Sequence, residues 1–180
     1  TTGSVGLNVL PRWIELSTQG VTATTVADVV LQAQVVAGAS PGDWLSAPTT
    51  PGQFTPTRPA SVRACRTFRA DVDPVVESAY EASLDSIAAD GIPVERVDSP
   101  CGAQAIIDWF FISACELAHS LAGERDRWES FDTSLQDILR FGIGVSMEDY
   151  LAATRRRHGL GARIDDTLGG GSVLALPTLN

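Results

Sequence analysis

The sequence predicts an α/β fold that is rich in helix in its second half. Three observations predict it. A strand, a capped helix and a second strand follow one another over residues 60–97. A long apolar helix and two shorter helical patterns fill 103–158. A short apolar run at 172–177 has the length of a buried strand.

The elements follow in order. Residues 1–20 read as irregular or briefly extended, with Gly3, Gly6 and Pro11 as breakers. Thr24 or Thr25 can cap a helix through its hydroxyl, and Asp28 suits its first turn. That helix reaches about Ala37 and stops at Gly38, and its nearly all-round apolar surface predicts burial on several sides. Residues 40–59 form a loop punctuated by Pro41, Pro48, Pro51, Pro56 and Pro59. Ala60 to Phe68 can be a strand. Asp73 is then a strong N-cap, Pro74 opens the helix, and Val76, Tyr80, Leu84 and Ile87 recur at helical spacing up to Gly91. Ile92 to Val97 alternates as a short strand. A strand, helix and strand of these lengths predict a parallel pair joined by a right-handed crossover.

The helical region occupies 103–158. Ala103 to Leu121 is apolar over more than half its girth and ends at Gly123, with Asp108, Glu116 and His119 near one stripe. Asp132 caps a helix from Thr133 to Phe141, which Gly142 and Gly144 should end. Ser146 with Asp149 resembles a capping box, and its helix should reach about His158. After Gly169-Gly170-Gly171, residues 172–177 read as the terminal strand. The 180 residues suit one domain or domain fragment.

Composition narrows the function. Hydrophobic residues make up 44% and charged residues 19%, a globular balance. The net charge of −9 argues against a nucleic-acid partner, which needs a basic face. Arg155-Arg156-Arg157 reads as a solvated helix end. No apolar run approaches the ~20 residues that span a bilayer, so no membrane partner is expected. Cys65, Cys101 and Cys115 lack CxxC spacing, and only His119 and His158 could join them, so neither a metal site nor a cofactor is expected. Three reduced, mostly buried thiols favour a reducing, cytoplasmic setting.

Catalytic motifs are sparse. There is no Gly-x-Ser-x-Gly elbow. The run Leu168 to Ser172 is glycine-rich but lacks the lysine of a phosphate loop. All 13 basic residues are arginine. Asp108 and Glu116 lie two turns apart and read as a polar seam rather than an acid–base pair. Trp109-Phe110-Phe111 reads mostly as core, with Trp109 and Phe110 as candidates for a substrate wall.

Three stretches together resemble the amidase-signature family. The first is Gly20 to Asp28, containing Thr25-Val26-Ala27-Asp28, with Val36-Ala37-Gly38 closing the helix. The second runs from Asp73-Pro74 through Gly91 to Val94-Glu95-Arg96-Val97. The third is the capped helix from Ser146 to Arg157, followed by Val173-Leu174-Ala175-Leu176-Pro177-Thr178. The resemblance implies a mixed-sheet α/β/α sandwich with helices on both faces. It implies hydrolysis of carboxamide C–N bonds by a serine nucleophile, a second serine in a cis peptide bond and a lysine, with backbone amides holding the oxyanion. In the family these residues lie before the part matched here, so no catalytic residue is assigned. Ser4 echoes the family's serine motif but stands too close to the Thr25-Val26-Ala27-Asp28 segment. The expected role is a non-catalytic portion of such a hydrolase, giving scaffold and one pocket wall. Its expected partners are a small amide substrate in the complete enzyme, the remainder of that enzyme, and copies of itself through exposed edges. The alternative is a stand-alone, non-enzymatic α/β binding or assembly module.

Overall fold

The computed structural model describes residues 5, 13, 16–41, 43, 46, 57–66 and 72–177. Their elements run α1 (Val26–Val36), β1 (Ser61–Ala64), α2 (Pro74–Ala89), β2 (Val94–Arg96), α3 (Ala103–Ser120), a 3-10 segment (Ala122–Ser130), α4 (Thr133–Gly144), α5 (Met147–Leu168) and β3 (Ser172–Ala175). The α/β class expected from the sequence is the one observed. The chain divides into two compact units, Arg58–Ile112 with Val145–Asn180, and Thr1–Thr57 with Ser113–Gly144.

The first of these units carries the sheet. The strands lie in the order β2-β1-β3 and are parallel throughout. Val62 is in register with Val94 and with Val173, and Ala64 with Arg96 and Ala175. Residues in register share a face of the sheet. Val62, Ala64, Val94 and Ala175 therefore point one way, where Tyr80, Leu84 and Ile87 of α2 cover them. The expected parallel strand–helix–strand unit is thus formed. Its helix begins where Asp73 Oδ1 accepts the Val75 amide at 2.7 Å, with Pro74 in the first turn. Gly91, at φ 77°, supplies the left-handed residue that turns the chain toward β2. Across the opposite face, Ser61 Oγ meets Ser172 Oγ at 2.8 Å, and the Arg63 guanidinium pairs with Glu95, its neighbour in register.

Helix α5 belongs to the same unit and corrects an expectation. Ser146 caps it as foreseen, accepting the Asp149 amide at 3.0 Å. Glycine at 159 and 161 does not stop it near His158, and it continues to Leu168. Glycine costs a helix only ~1 kcal/mol per residue, which tertiary context overrides. The helix ends at Gly169, where φ is 60°.

In the second unit, Thr25 caps α1 by accepting the Asp28 amide at 3.2 Å. Helix α1 is not buried as the sequence suggested. None of its residues is buried, and Leu31 and Val35 are 60% and 77% exposed. The core of this unit lies elsewhere, in Ala118, Leu121, Trp128 and Leu139. Trp128 belongs to the 3-10 segment, which the sequence reading missed because it has no apolar periodicity. The indole of Trp128 donates to Leu121 O at 3.1 Å, which satisfies its polar atom while the ring fills the core. Helix α3 ends at Ser120, before the expected Gly123. Helix α4 runs on through Gly142 to Gly144 instead of ending at Phe141. Gly142 serves close packing: a Cβ there would lie 2.1 Å from the carbonyl oxygen of Ala114 and 2.9 Å from Ala118 Cβ.

Candidate functional site

The polar anchor of α3 is Asp108, only 4% exposed. Arg156 of α5 reaches it with two parallel bonds, Nε to Oδ2 at 2.9 Å and Nη2 to Oδ1 at 2.7 Å. Gln104, one turn earlier, donates to Oδ1 at 2.9 Å. The Arg156 hydrogen bonds hold the Asp108 carboxyl below its ordinary range against burial, which pushes the other way, and the Gln104 bond helps. Such a carboxylate is ionised and already neutralised. It is therefore a poor proton acceptor, and the reading of Asp108 as structural stands. Glu116 lies eight residues on, about 12 Å along the helix axis, too far to share a proton with it.

This anchor sets the rotation of α3. Successive residues on a helix turn by ~100°, so fixing Asp108 toward α5 aims the residues near Ile106 and Trp109 away from it. Trp109 is 56% exposed, and Ile106 and Ile107 are exposed beside it. Phe110 is half-buried. The two candidate wall residues are thus neighbours on α3, Trp109 exposed and Phe110 half-buried.

A second place to look is the carboxyl end of the parallel strands. Ligands of open α/β sheets bind there, where successive connections leave a strand in opposite directions. With strand order β2-β1-β3, that point lies between β1 and β3. Here Tyr80 of α2 bridges the two strand ends. Tyr80 Oη lies 3.0 Å from Cys65 O and 3.1 Å from Ala175 O, and the Cys65 amide donates to Ala175 O at 3.0 Å. Burial pushes the Tyr80 phenol up, so it stays a donor. Cys65 and Cys101 are both buried, and burial also pushes the Cys101 thiol up. Thiols kept protonated are weak nucleophiles. Burial raises the Cys115 thiol as well.

The remaining candidates are dispersed. His119 on α3 and His158 on α5 are both exposed. The glycine run before β3 is a turn, with Gly169 and Gly171 at positive φ and Ser172 occupied by Ser61. Among the described residues, no group of three or more His, Cys, Asp or Glu side chains is placed to hold a metal ion. No single described helix is long and apolar enough to cross a membrane. Ser4 and most of the 40–59 loop lie outside the described residues.

Comparison with known proteins follows from this fold. An amidase of Pseudomonas putida is 30% identical over 162 residues, which is 86% of this chain and 35% of that protein. A crystal structure of an amidase superposes with a TM-score of 0.64 at 19% identity, covering 83% of this chain and 32% of the other. A bacterial aryl acylamidase of the amidase-signature family gives a TM-score of 0.62 at 15% identity, covering 87% and 36%. The chain belongs to the amidase-signature family. A further neighbour comes from a vestigial protein complex that bears on the evolutionary origins of an s-triazine catabolic enzyme. It has a TM-score of 0.70 at 18% identity and covers 84% of this chain and 34% of that one. No family model matches this amidase-signature chain. It spans about a third of the length of the relatives it matches.

Proposed function

We propose that the chain is a non-catalytic portion of an amidase-type hydrolase that cleaves carboxamide C–N bonds. It supplies scaffold, and Trp109 with Phe110 contributes one wall of the substrate pocket. One observation carries this reading: the chain has the sequence likeness and fold of amidases, yet none of its 13 basic residues is a lysine. A serine hydrolase of this kind needs a base for its nucleophile. In this chain both histidines are exposed and, of the two buried carboxylates among the described residues, Asp108 and Glu116, the more buried Asp108 is held by arginine. The proton relay therefore comes from polypeptide outside these residues. The buried thiols fit a cytoplasmic setting for the whole enzyme.

Hydrolysis of benzamide and acetanilide, followed by ammonia and aniline release, tests the proposal. The isolated chain is expected to give no turnover, and the product of the complete coding region is expected to give turnover. Serine-hydrolase activity in the isolated chain, blocked by a sulfonyl fluoride, would sink the non-catalytic assignment. A coding region that ends at these residues and yields no amidase activity would favour the stand-alone binding module.

A further inference from the structure

We infer that Arg156 is a positioning residue for aromatic amides: through Asp108 it fixes how α3 presents Trp109 and Phe110. The inference rests on the proposed function, in which those two residues form one wall of the substrate pocket. Arg156 belongs to α5 and lies 48 residues from Asp108. Its guanidinium takes both carboxylate oxygens, Oδ2 through Nε at 2.9 Å and Oδ1 through Nη2 at 2.7 Å. Two parallel bonds fix the plane of a carboxylate, which a point charge such as lysine does not. Gln104 Nε2 donates to Oδ1 at 2.9 Å from the preceding turn of α3, so the carboxylate is gripped from both helices.

Burial makes the grip consequential. The Asp108 side chain is 6% exposed and that of Arg156 is 48% exposed. Without the arginine, the buried carboxylate would lack its counter-charge and would have to move toward water. Trp109 and Phe110 are the next two residues of the same helix, so a shift of the Asp108 backbone carries both rings. The effect is selective for flat aromatic groups. Aromatic rings attract in offset or edge-to-face arrangements, so the contact depends on the angle at which the wall is held. A small aliphatic amide makes little use of such a wall.

The experiment uses the purified product of the complete coding region. Ammonia release from benzamide and from acetamide is measured for wild type, Arg156→Lys, Arg156→Met and Trp109→Ala. Arg156→Met should raise KM for benzamide and lower the benzamide-to-acetamide ratio of kcat/KM by roughly 3- to 10-fold, the scale of one aromatic contact. The kcat for acetamide should stay within about 2-fold of wild type. Arg156→Lys keeps the charge but not the fork, and should lose most of the same ratio. Trp109→Ala should lower the ratio too, and adding Arg156→Met to it should lower the ratio little further, because both act on one wall. Thermal melting identifies any variant that fails to fold, and Arg156→Lys carries the comparison if Arg156→Met does. Folded Arg156 variants that are impaired equally on both substrates, or that keep the ratio Trp109→Ala loses, would overturn the inference and leave the proposed function standing. A wild-type product that hydrolyses no amide, or a Trp109→Ala variant that keeps the ratio, would remove the proposed wall and the inference with it.

Discussion

Replacing Gly142 with alanine tests a close contact between helices α3 and α4. Two effects oppose each other. Alanine favours a helix over glycine by roughly 0.5–1 kcal/mol. Against this, the new methyl group would stand 2.1 Å from Ala114 O, 2.6 Å from Ala114 C and 2.9 Å from Ala118 Cβ. Ordinary carbon contacts lie at about 3.5–4.0 Å. Helices α3 and α4 must then separate by roughly 1 Å or more, because the nearest obstacle is backbone and has no rotamer to change. Overpacking typically costs about 1–3 kcal/mol. Separation also loosens Leu139, which is 0% exposed and packs in the cluster with Ala118. The net expectation is a loss of about 1–2 kcal/mol. Gly144→Ala is the control, since nothing lies within 4 Å of a Cβ there. Urea unfolding followed by circular dichroism compares the three proteins. The midpoint of Gly142→Ala should fall, while that of Gly144→Ala should hold or rise. A Gly142→Ala midpoint at or above wild type would refute the close-packing account.

Two further substitutions probe the polar ties of the sheet-bearing unit. Asp108→Asn removes the charge that Arg156 grips and should cost about 1–3 kcal/mol at neutral pH, toward the lower end because Arg156 is half-exposed. The folded-state pKa of Asp108 is depressed, so its contribution is present above the ordinary value of 3.8 and is lost as pH falls through the folded value. The gap between wild type and Asp108→Asn should therefore narrow from pH 7 to pH 3 in urea unfolding, and a constant gap would deny the pair any electrostatic role. Tyr80→Phe removes the bonds to Cys65 O and Ala175 O and should cost about 1–2 kcal/mol. Hydrogen exchange should quicken at the Cys65 amide, which bonds Ala175 O, and not at the Val97 amide, which bonds Ala64 O on the other side of β1.

The sequence was most readable where a local signal and a tertiary need coincide. Asp73-Pro74 gave the start of α2, and Ser146 that of α5, because a capping side chain satisfies amides that no tertiary contact reaches. Glycine was the least readable residue. Gly169 ends a helix, Gly159 and Gly161 lie within one, and Gly142 lies where another helix presses. These roles differ only in what surrounds the residue, which a single sequence does not show. The Asp108 contact was equally hidden. The polar stripe on α3 was visible, but its partner Arg156 lies 48 residues away in a run that reads as solvated charge. The 3-10 segment was missed because its one core residue, Trp128, is held by local hydrogen bonding and has no apolar repeat around it.

Several polar side chains among the described residues are engaged in holding the fold. The most buried carboxylate, Asp108, is fixed to arginine and to Gln104. Tyr80 bonds the ends of two neighbouring strands. Ser61 and Ser172 bond each other, and Ser146 and Thr25 cap helices. Apolar surface shows the opposite pattern. Trp109, Leu31 and Val35 remain exposed, although burying each side chain would contribute on the order of 1.5–3 kcal/mol. The polar side chains named here are satisfied internally and the apolar ones are not, so the unmet needs of these described residues lie in packing rather than in reactivity. That asymmetry is the one the proposed scaffold role predicts.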